Sequence, residues 1–488
     1  MSNTSQVSQS SGTIWSQFLT LIIVFFFWGF VAASNDILIP VFKENLHLTQ
    51  TQSQLVAFAF YIAYTVGSLI YYSISKSRGE DILNKIGYKN GIALGLIISA
   101  LGTLIFIPAA NTHSFPLFIV GLFIVGLGFS LQQTAANPLA IIMGDPKSGS
   151  QRLSMAGGVN NFGTTIGPLL VNFAIFGSVT AVASKADITS IKIPYLILGA
   201  AFILVAILIK FSTVPNKIDL DAMAEEEAGD QKSMVEHHSS PMKYPQLALG
   251  MIAIFLYVGV EVSTASNLPE FIKQHIPGPD GGVFPTDRIA PYISLFWASL
   301  MMGRWTAASE AFDISMGAKK MMRFVMPYIA FLVFLLVNKI AHHDITPFYF
   351  YFIVVAVMIA GNILSKGSPA KQLMIYSVLG VVAIAIGMLF DGWISVFSFI
   401  SVGLFCSTLW PCIFTLAIAG LGKHTNEGSS LLIMMIMGGA FVSLFQGFLA
   451  DHVTGIQYSY IAGILCFTYL IYYAIQSKKI LKKQGINF

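Results

Sequence analysis

The feature that most constrains this chain is a succession of about fourteen apolar runs, each close to twenty residues long, between Phe18 and Ile475. A helix crosses the roughly 30 Å of bilayer hydrocarbon in about 20 residues, whereas membrane β-strands would show as shorter alternating segments. The chain is 55% hydrophobic and only 10% charged, while soluble domains average about 25% charged residues. The sequence therefore predicts an all-α integral membrane protein that crosses the bilayer many times.

The loops between these runs set the expected orientation. The predicted spans lie near residues 18–40, 54–74, 91–110, 116–142, 153–176, 194–211, 246–272, 290–311, 322–340, 347–364, 372–390, 395–419, 429–450 and 458–476. With a cytoplasmic N-terminus, twenty of the 27 Lys and Arg residues fall on the inner side, six fall outside, and Arg304 lies within a span. Because cytoplasmic loops carry the excess of positive charge, we expect both termini to be cytoplasmic.

The longest hydrophilic stretch, residues 212–245, is acidic and has no apolar periodicity. Such a composition is typical of a solvated linker. It predicts an N-terminal six-helix bundle over 1–211, a cytoplasmic linker over 212–245 and a C-terminal bundle over 246–488.

Each half opens with a helix that holds an acid inside an apolar run, Asp36 in the first half and Glu261 in the second. A charged carboxylate at membrane depth costs about 2.5 to 3.5 kcal/mol, so it marks a functional site by default. A carboxyl that is alternately wetted and dried can convert an ion gradient into a conformational bias. We predict Asp36 as the cation-coupling residue and Glu261 as the second choice. The alternatives are a solvated helix-end carboxylate at Asp36 and a structural hydrogen bond at Glu261.

The two halves also repeat each other within their helices. Gln132–Pro138 in the fourth span is matched in placement by Ser407–Pro411 in the twelfth, and the glycine pair at 157–158 is matched by the pair at 438–439. A proline within a span frees a backbone carbonyl, which is tolerated where a neighbour or a cavity satisfies it. Paired breaks in two halves point to a central binding site.

Several short segments carry a family likeness: Ser34–Pro40, Lys85–Lys89, Gln133–Pro138, Asn160–Thr165, Phe255–Gly259, Met302–Arg304, Leu409–Phe414, Gly420–Gly422 and Gly428–Leu432. Together they resemble the fucose and glucose/galactose permease group of the major facilitator superfamily. The resemblance implies two six-helix bundles that rock around a midplane site and import a hexose with a cation, either a proton or sodium. It further implies a monomeric, multi-pass protein of the bacterial cytoplasmic (inner) membrane, not an enzyme, with no cofactor.

Three departures from the family pattern matter. Gln133 stands where the proton-coupled fucose branch has a glutamate, so this position cannot ionise. The loop that contains residues 77–83 is longer than usual. The spans at 322–340 and 347–364 are additional to the family's twelve, and we expect them to form an inserted membrane hairpin at about 322–364.

A sugar offers hydroxyls that donate and accept, so its site needs amides for hydrogen bonds and aromatic faces for the ring. We expect Arg304 to snorkel or to pair with a backbone carbonyl. For Asn137 and Asn161, interhelical hydrogen bonding is the alternative role, and Trp297 could equally serve packing. The candidate substrate-binding residues are Asn35, Gln133, Asn137, Asn160, Asn161, Asn267, Trp297 and Trp410.

Other classes of function remain as rivals. L-fucose is the alternative substrate within the same family. An intramembrane enzyme would need a nucleophile beside the two acids, and no such motif is present; a passive channel would not concentrate its solute. The absence of a phosphate-binding glycine loop argues against ATP-driven transport. We predict no catalytic residues and no metal site. We also predict no nucleic-acid partner, because the basic residues are spread over many loops.

Overall fold

The computed structural model describes residues 14–46, 50–144, 148–176, 191–217, 239–278, 281–282, 284, 288–309 and 314–486, and within them all side chains except those of 32–45, 50–57 and 168–176. Each predicted span overlaps a helix of this structure. Within the described ranges, 10 helical segments are long and apolar enough to cross a membrane. The exact number of crossings stays a prediction. Residues 218–238 of the predicted linker lie outside the described residues.

The helices of the first half of the chain follow the apolar runs closely. They are α1 (Trp15–Asn45), α2 (Gln50–Arg78), α3 (Ile82–Ile86), α4 (Tyr88–Leu104), α5 (Phe106–Asn111), α6 (Phe115–Ile142), α7 (Gly149–Phe176) and α8 (Lys192–Phe211).

The second half contains more helix breaks. Its helices are α9 (Pro245–His275), α10 (Ala290–Ala308), α11 (Met316–Ile340), α12 (Tyr351–Ser365), α13 (Pro369–Leu389), α14 (Gly392–Cys406), α15 (Leu409–Ile418), α16 (Thr425–Met434), α17 (Gly438–Leu449), α18 (Gly455–Ser459) and α19 (Ile461–Lys483).

The chain divides into two compact units that exchange short segments. The first unit comprises Met1–Pro146, Phe162–Met223 and Gly422–Met434. The second unit comprises Lys147–Asn161, Ala224–Leu421 and Met435–Phe488. The first part of α7 therefore packs in the second unit, and α16 packs in the first. The bundle boundaries at 211 and 246 stay a prediction.

In the first unit, α4 packs between α6 and α8, and α2 packs on α6. The α4–α6 contact is close because glycines face each other. A Cβ on Gly102 would lie 2.8 Å from the carbonyl oxygen of Gly121, so a larger residue would force the helices apart. Packing of this kind, through small residues, holds helices together where lipid removes the hydrophobic drive.

Pro138 shows how this unit satisfies a freed carbonyl. Proline has no N–H, so the carbonyl of Thr134, four residues earlier, loses its helical donor. Ser429 Oγ on α16 donates to that carbonyl oxygen at 3.1 Å instead. The helix α6 runs unbroken through Pro138.

In the second unit, α9 packs on α17, α19 and α15, and α10 lies against α11 and α14. Aromatic rings fill the core: the ring centroids of Phe399 and Tyr460 are 3.8 Å apart, and Phe271 meets Phe399 edge-on at 5.1 Å. The unit thus contains α9 and α10, the two helices that carry Glu261 and Arg304.

The helices α11 and α12 occupy the stretch where we expect the inserted hairpin. They are joined by a short turn in which Asp344 Oδ1 accepts the Thr346 N–H at 2.9 Å, a bond that lowers the pKa of Asp344. Near the turn, the buried Asn338 donates to Ser294 Oγ of α10 at 3.3 Å. The pair is therefore attached to α10 by a polar contact as well as by apolar packing. Its status as an insertion stays a prediction.

The turn between α11 and α12 gives a direct test of the predicted orientation. Asp344 is exposed there, so an Asp344→Cys variant should react with an impermeant thiol reagent added outside intact cells. The background should be low because the native cysteines 406, 412 and 466 are buried. A cysteine at the exposed Lys320, at the other end of α11, is the matched control and should react only after permeabilisation. The reverse labelling pattern would show that the turn faces the cytoplasm and that the predicted orientation is wrong.

Candidate functional site

Arg304 lies within an otherwise apolar stretch of α10 and is the centre of a buried polar cluster in the second unit. Its Nε donates to the Ser407 carbonyl oxygen at 2.9 Å, and its Nη1 donates to Asn161 Oδ1 at 2.6 Å and to the Gly157 carbonyl oxygen at 3.2 Å. Its Nη2 donates to Tyr257 Oη at 3.5 Å, the weakest of the four contacts. A planar guanidinium with five N–H donors can hold several acceptors in fixed directions, which an ammonium cannot.

The Ser407 acceptor exists because of the proline at 411. Proline 411 cannot donate to the carbonyl four residues before it, and the helix breaks at Thr408, between α14 and α15. Arg304 takes that carbonyl as an acceptor. The expectation that Arg304 pairs with a backbone carbonyl agrees with this contact.

The glycine pair at 157–158 gives α10 its close approach to α7. A Cβ on Gly158 would lie 2.6 Å from Trp305 Cδ1, and a Cβ on Gly157 would lie 3.1 Å from Arg304 Cδ. Trp305 Nε1 donates to the Gly158 carbonyl oxygen at 3.2 Å. Side chains at these positions would push Arg304 away from Asn161.

Glu261 joins the cluster through Tyr257, one helical turn before it on α9. The Tyr257 hydroxyl donates to Glu261 Oε2, and its oxygen accepts from Arg304. Tyr257 is buried, Glu261 is half-buried, and the Trp410 ring centroid lies 6.3 Å from that of Tyr257. Hydrogen bonds therefore link the Glu261 carboxyl to the Tyr257 hydroxyl and that hydroxyl to the Arg304 guanidinium, beside the Trp410 indole.

Three other candidate substrate-binding residues of the second unit are Asn160, Asn161 and Asn267, and they make different contacts. Asn161 Nδ2 donates to the Trp297 carbonyl oxygen at 3.4 Å, which joins two of the predicted residues. Asn267 donates to the Ser263 carbonyl oxygen at 2.8 Å, within its own helix. Asn160 is half-buried on α7.

The first unit carries the other two candidate substrate-binding amides whose side chains the structure describes, Gln133 and Asn137. Gln133 Nε2 donates to Tyr64 Oη at 3.0 Å. Asn137 is 1% exposed, and its Nδ2 has no hydrogen-bond partner among the described residues. A buried amide donor without a partner is costly, so a ligand hydroxyl would stabilise it. The side chains of Asn35 and Asp36, on α1, lie outside those that the structure describes.

Two residues that sequence reasoning did not include in the site, Arg304 and Tyr257, hold the cluster together. The signal for Arg304 was available, because a guanidinium inside an apolar run needs a partner within the bundle. Tyr257 lies in the family segment Phe255–Gly259, but only its contact with Glu261 assigns it to the cluster.

A second buried carboxyl, Asp81, lies between α2 and α3, outside the apolar spans. It is 5% exposed, and Oδ1 accepts from Tyr71 Oη and from the Leu83 N–H, each at 2.7 Å. Oδ2 has no partner among the described residues. Burial raises the pKa of Asp81, the hydrogen bonds from Tyr71, Leu83 and Asn84 oppose the shift, and the nearby Glu427 adds to it.

Replacing Asp81 by Asn should raise the melting temperature of the purified protein near pH 8 and flatten its dependence on pH. An acid whose pKa is raised by folding contributes stability at low pH that is lost as the pH rises through the folded-state value. Asn caps a helix as well as Asp and remains neutral. The control is Asp391→Asn, an exposed acid that makes no capping bond. A melting temperature for Asp81→Asn that falls at pH 8 would show that the charged form is preferred.

Comparison with known proteins gives the class. The family model of the Major Facilitator Superfamily matches residues 18–338. The glucose/galactose transporter of Brucella abortus (strain 9-941) is 31% identical over 461 residues, covering 94% of this chain and 93% of the relative. The L-fucose-proton symporter of Escherichia coli (strain K12) is 26% identical over 474 residues, covering 94% of this chain and 92% of the relative.

The solved structures agree with this result. A crystal structure of the transporter FucP in the outward conformation matches with a TM-score of 0.69 at 25% identity, covering 94% of this chain and 98% of that one. This chain is thus a helical, multi-pass membrane transporter. It belongs to the major facilitator superfamily, and its relatives include glucose/galactose transporters and L-fucose-proton symporters. The family resemblance seen in the sequence is confirmed.

Proposed function

We propose that this protein imports a monosaccharide together with a proton by alternating access. The observation that carries the proposal is the series Glu261–Tyr257–Arg304–Asn161, which places an ionisable carboxyl three hydrogen-bond contacts away from an amide of the candidate sugar site. Relatives that carry glucose, galactose and L-fucose support a sugar as the substrate, and the symporter among them supports a proton as the ion.

Within this proposal, a hexose of the glucose or galactose type is the first candidate. The higher identity to a glucose/galactose transporter, 31% against 26%, favours it over L-fucose. Gln133 favours it too, because an amide stands where the fucose branch has a glutamate. L-fucose is the second candidate substrate.

The proposed sugar contacts are amides and indoles, since an amide answers a hydroxyl in both directions and an indole covers the apolar face of the ring. Asn137 is a strong candidate because its buried Nδ2 has no partner among the described residues. The full proposed set is Asn35, Gln133, Asn137, Asn160, Asn161, Asn267, Trp297 and Trp410.

The proposed proton sites are Asp36 and Glu261. The placement of the protein in the bacterial inner membrane, with both termini cytoplasmic, is part of the same proposal, as are the monomeric state and the identity of α11 and α12 as an inserted hairpin.

Uptake into proteoliposomes tests the function. Radiolabelled glucose, galactose and L-fucose are compared under an inward proton gradient, an inward sodium gradient and no gradient. We expect one hexose to accumulate under the proton gradient and to leak out when a protonophore is added. Equilibration of the sugar without accumulation would indicate a passive channel. Accumulation under the sodium gradient alone would show that the coupling ion is sodium and not a proton.

A further inference from the structure

Tyr257 occupies a position in the polar cluster that the proposed function does not yet use. Its hydroxyl lies between the two charged groups, donating to Glu261 Oε2 and accepting from Arg304 Nη2. A phenol has one hydrogen, so it can serve one acceptor at a time. With Glu261 ionised, Arg304 donates to Tyr257 and Tyr257 donates to the carboxylate. Hydrogen bonds linked in this way polarise one another.

Protonation of Glu261 changes this arrangement. The carboxyl then has a hydrogen of its own and no longer requires the one from Tyr257. The cluster also gains a net positive charge, because a guanidinium is not deprotonated in proteins. The remaining acceptors of Arg304 are neutral: the Ser407 and Gly157 carbonyl oxygens and Asn161 Oδ1. Two of these three acceptors belong to the first part of α7.

We propose that Tyr257 is the positioning residue that transmits the protonation of Glu261 to Arg304, and through Arg304 to Asn161 on α7. This inference rests on the proposed function, since it names the contacts through which protonation of Glu261 acts on a sugar-binding amide. Tyr257 itself does not bind sugar in this scheme. It fixes where Arg304 lies in each protonation state of Glu261.

The groups around Glu261 leave few other routes. Arg304 is the charged group that faces it from α10, and α17 contributes no titratable residue. The other helices packed on α9 include α14, α15 and α19. Of their thiols and phenols, Cys406 on α14 interacts with Glu261, and a thiol is neutral near pH 7.

The test measures sugar affinity against pH in purified protein, using the hexose that the uptake assay identifies. The wild type should show about a fivefold or larger change across the titration, the lower end of typical coupling between two sites. Tyr257→Phe keeps the ring and removes the hydroxyl, and it should retain less than about a twofold change. Tyr473→Phe is the matched control, because it also removes a buried hydroxyl bonded to α9, at the Gln246 carbonyl oxygen. It should keep the wild-type pH dependence.

A second variant covers the case in which Tyr257→Phe does not fold. Introducing 3-fluorotyrosine at position 257 preserves the shape and makes the phenol a stronger donor, which favours the ionised carboxylate. The pH midpoint of sugar binding should therefore move to lower pH, and an unmoved midpoint overturns the inference.

The outcomes separate the inference from the function it rests on. One outcome is that sugar affinity loses its pH dependence in Glu261→Gln but keeps it in full in Tyr257→Phe. That result would refute the role of Tyr257 and leave proton symport standing. A wild type whose sugar affinity does not respond to pH would refute the role of Tyr257. Proton symport itself would be refuted by the absence of accumulation under the proton gradient.

Discussion

Replacing Glu261 by Gln should abolish the accumulation of sugar against its gradient while sugar exchange stays measurable. Glutamine keeps the shape of the side chain and still accepts the hydrogen bond from Tyr257, but it cannot bind and release a proton. One proton that moves down one pH unit supplies about 1.4 kcal/mol, which is about a tenfold concentration ratio. Uptake into proteoliposomes under that gradient should give the full ratio for the wild type and a ratio near unity for the variant.

The control for this experiment is Glu270→Gln, the same chemical change at an exposed position of the same helix. It should accumulate sugar like the wild type. The sequence places Asp36 ahead of Glu261, so Asp36→Asn is measured alongside. Accumulation that survives in Glu261→Gln but fails in Asp36→Asn would assign proton coupling to α1 and remove Glu261 from the mechanism.

Replacing Arg304 by Lys should reduce the initial rate of uptake by about tenfold or more. A lysine keeps the charge, yet its single ammonium cannot reach Ser407, Asn161 and Tyr257 together, since these acceptors lie in different directions around the guanidinium. Each hydrogen bond to a charged group contributes about 1.5 to 3 kcal/mol, so the loss of one already corresponds to about tenfold.

Arg288→Lys is the matched control, because Arg288 is exposed just before α10. It should leave uptake unchanged. The melting temperature of Arg304→Lys should also fall, since acceptors that are buried around the guanidinium lose their donors. Wild-type uptake by Arg304→Lys would show that a positive charge alone suffices at this position and that the fixed geometry is unnecessary.

Much of the fold follows from the sequence because bilayer thickness sets helix length. The apolar runs predicted the helices, and the motifs around Gln133, Asn160 and Trp410 predicted the family. The prolines at 138 and 411 predicted freed carbonyls. The sequence did not reveal their different outcomes: α6 continues through Pro138, while the helix breaks before the second proline. In both cases a side chain from another helix donates to the freed carbonyl, Ser429 in one case and Arg304 in the other.

The sequence by itself determined that this is a multi-pass membrane protein, because hydropathy acts along the chain and needs no knowledge of neighbours, and its short motifs indicated the family. It also identified Glu261 and Asn161 as candidates, since polar groups at membrane depth are costly wherever they face. Only the tertiary structure decided that these residues meet through Tyr257 and Arg304. That meeting requires α7, α9, α10 and the break after α14 to converge, and the glycine pair at 157–158 permits it. Contacts among four segments depend on close packing in three dimensions, which no local pattern in the sequence encodes.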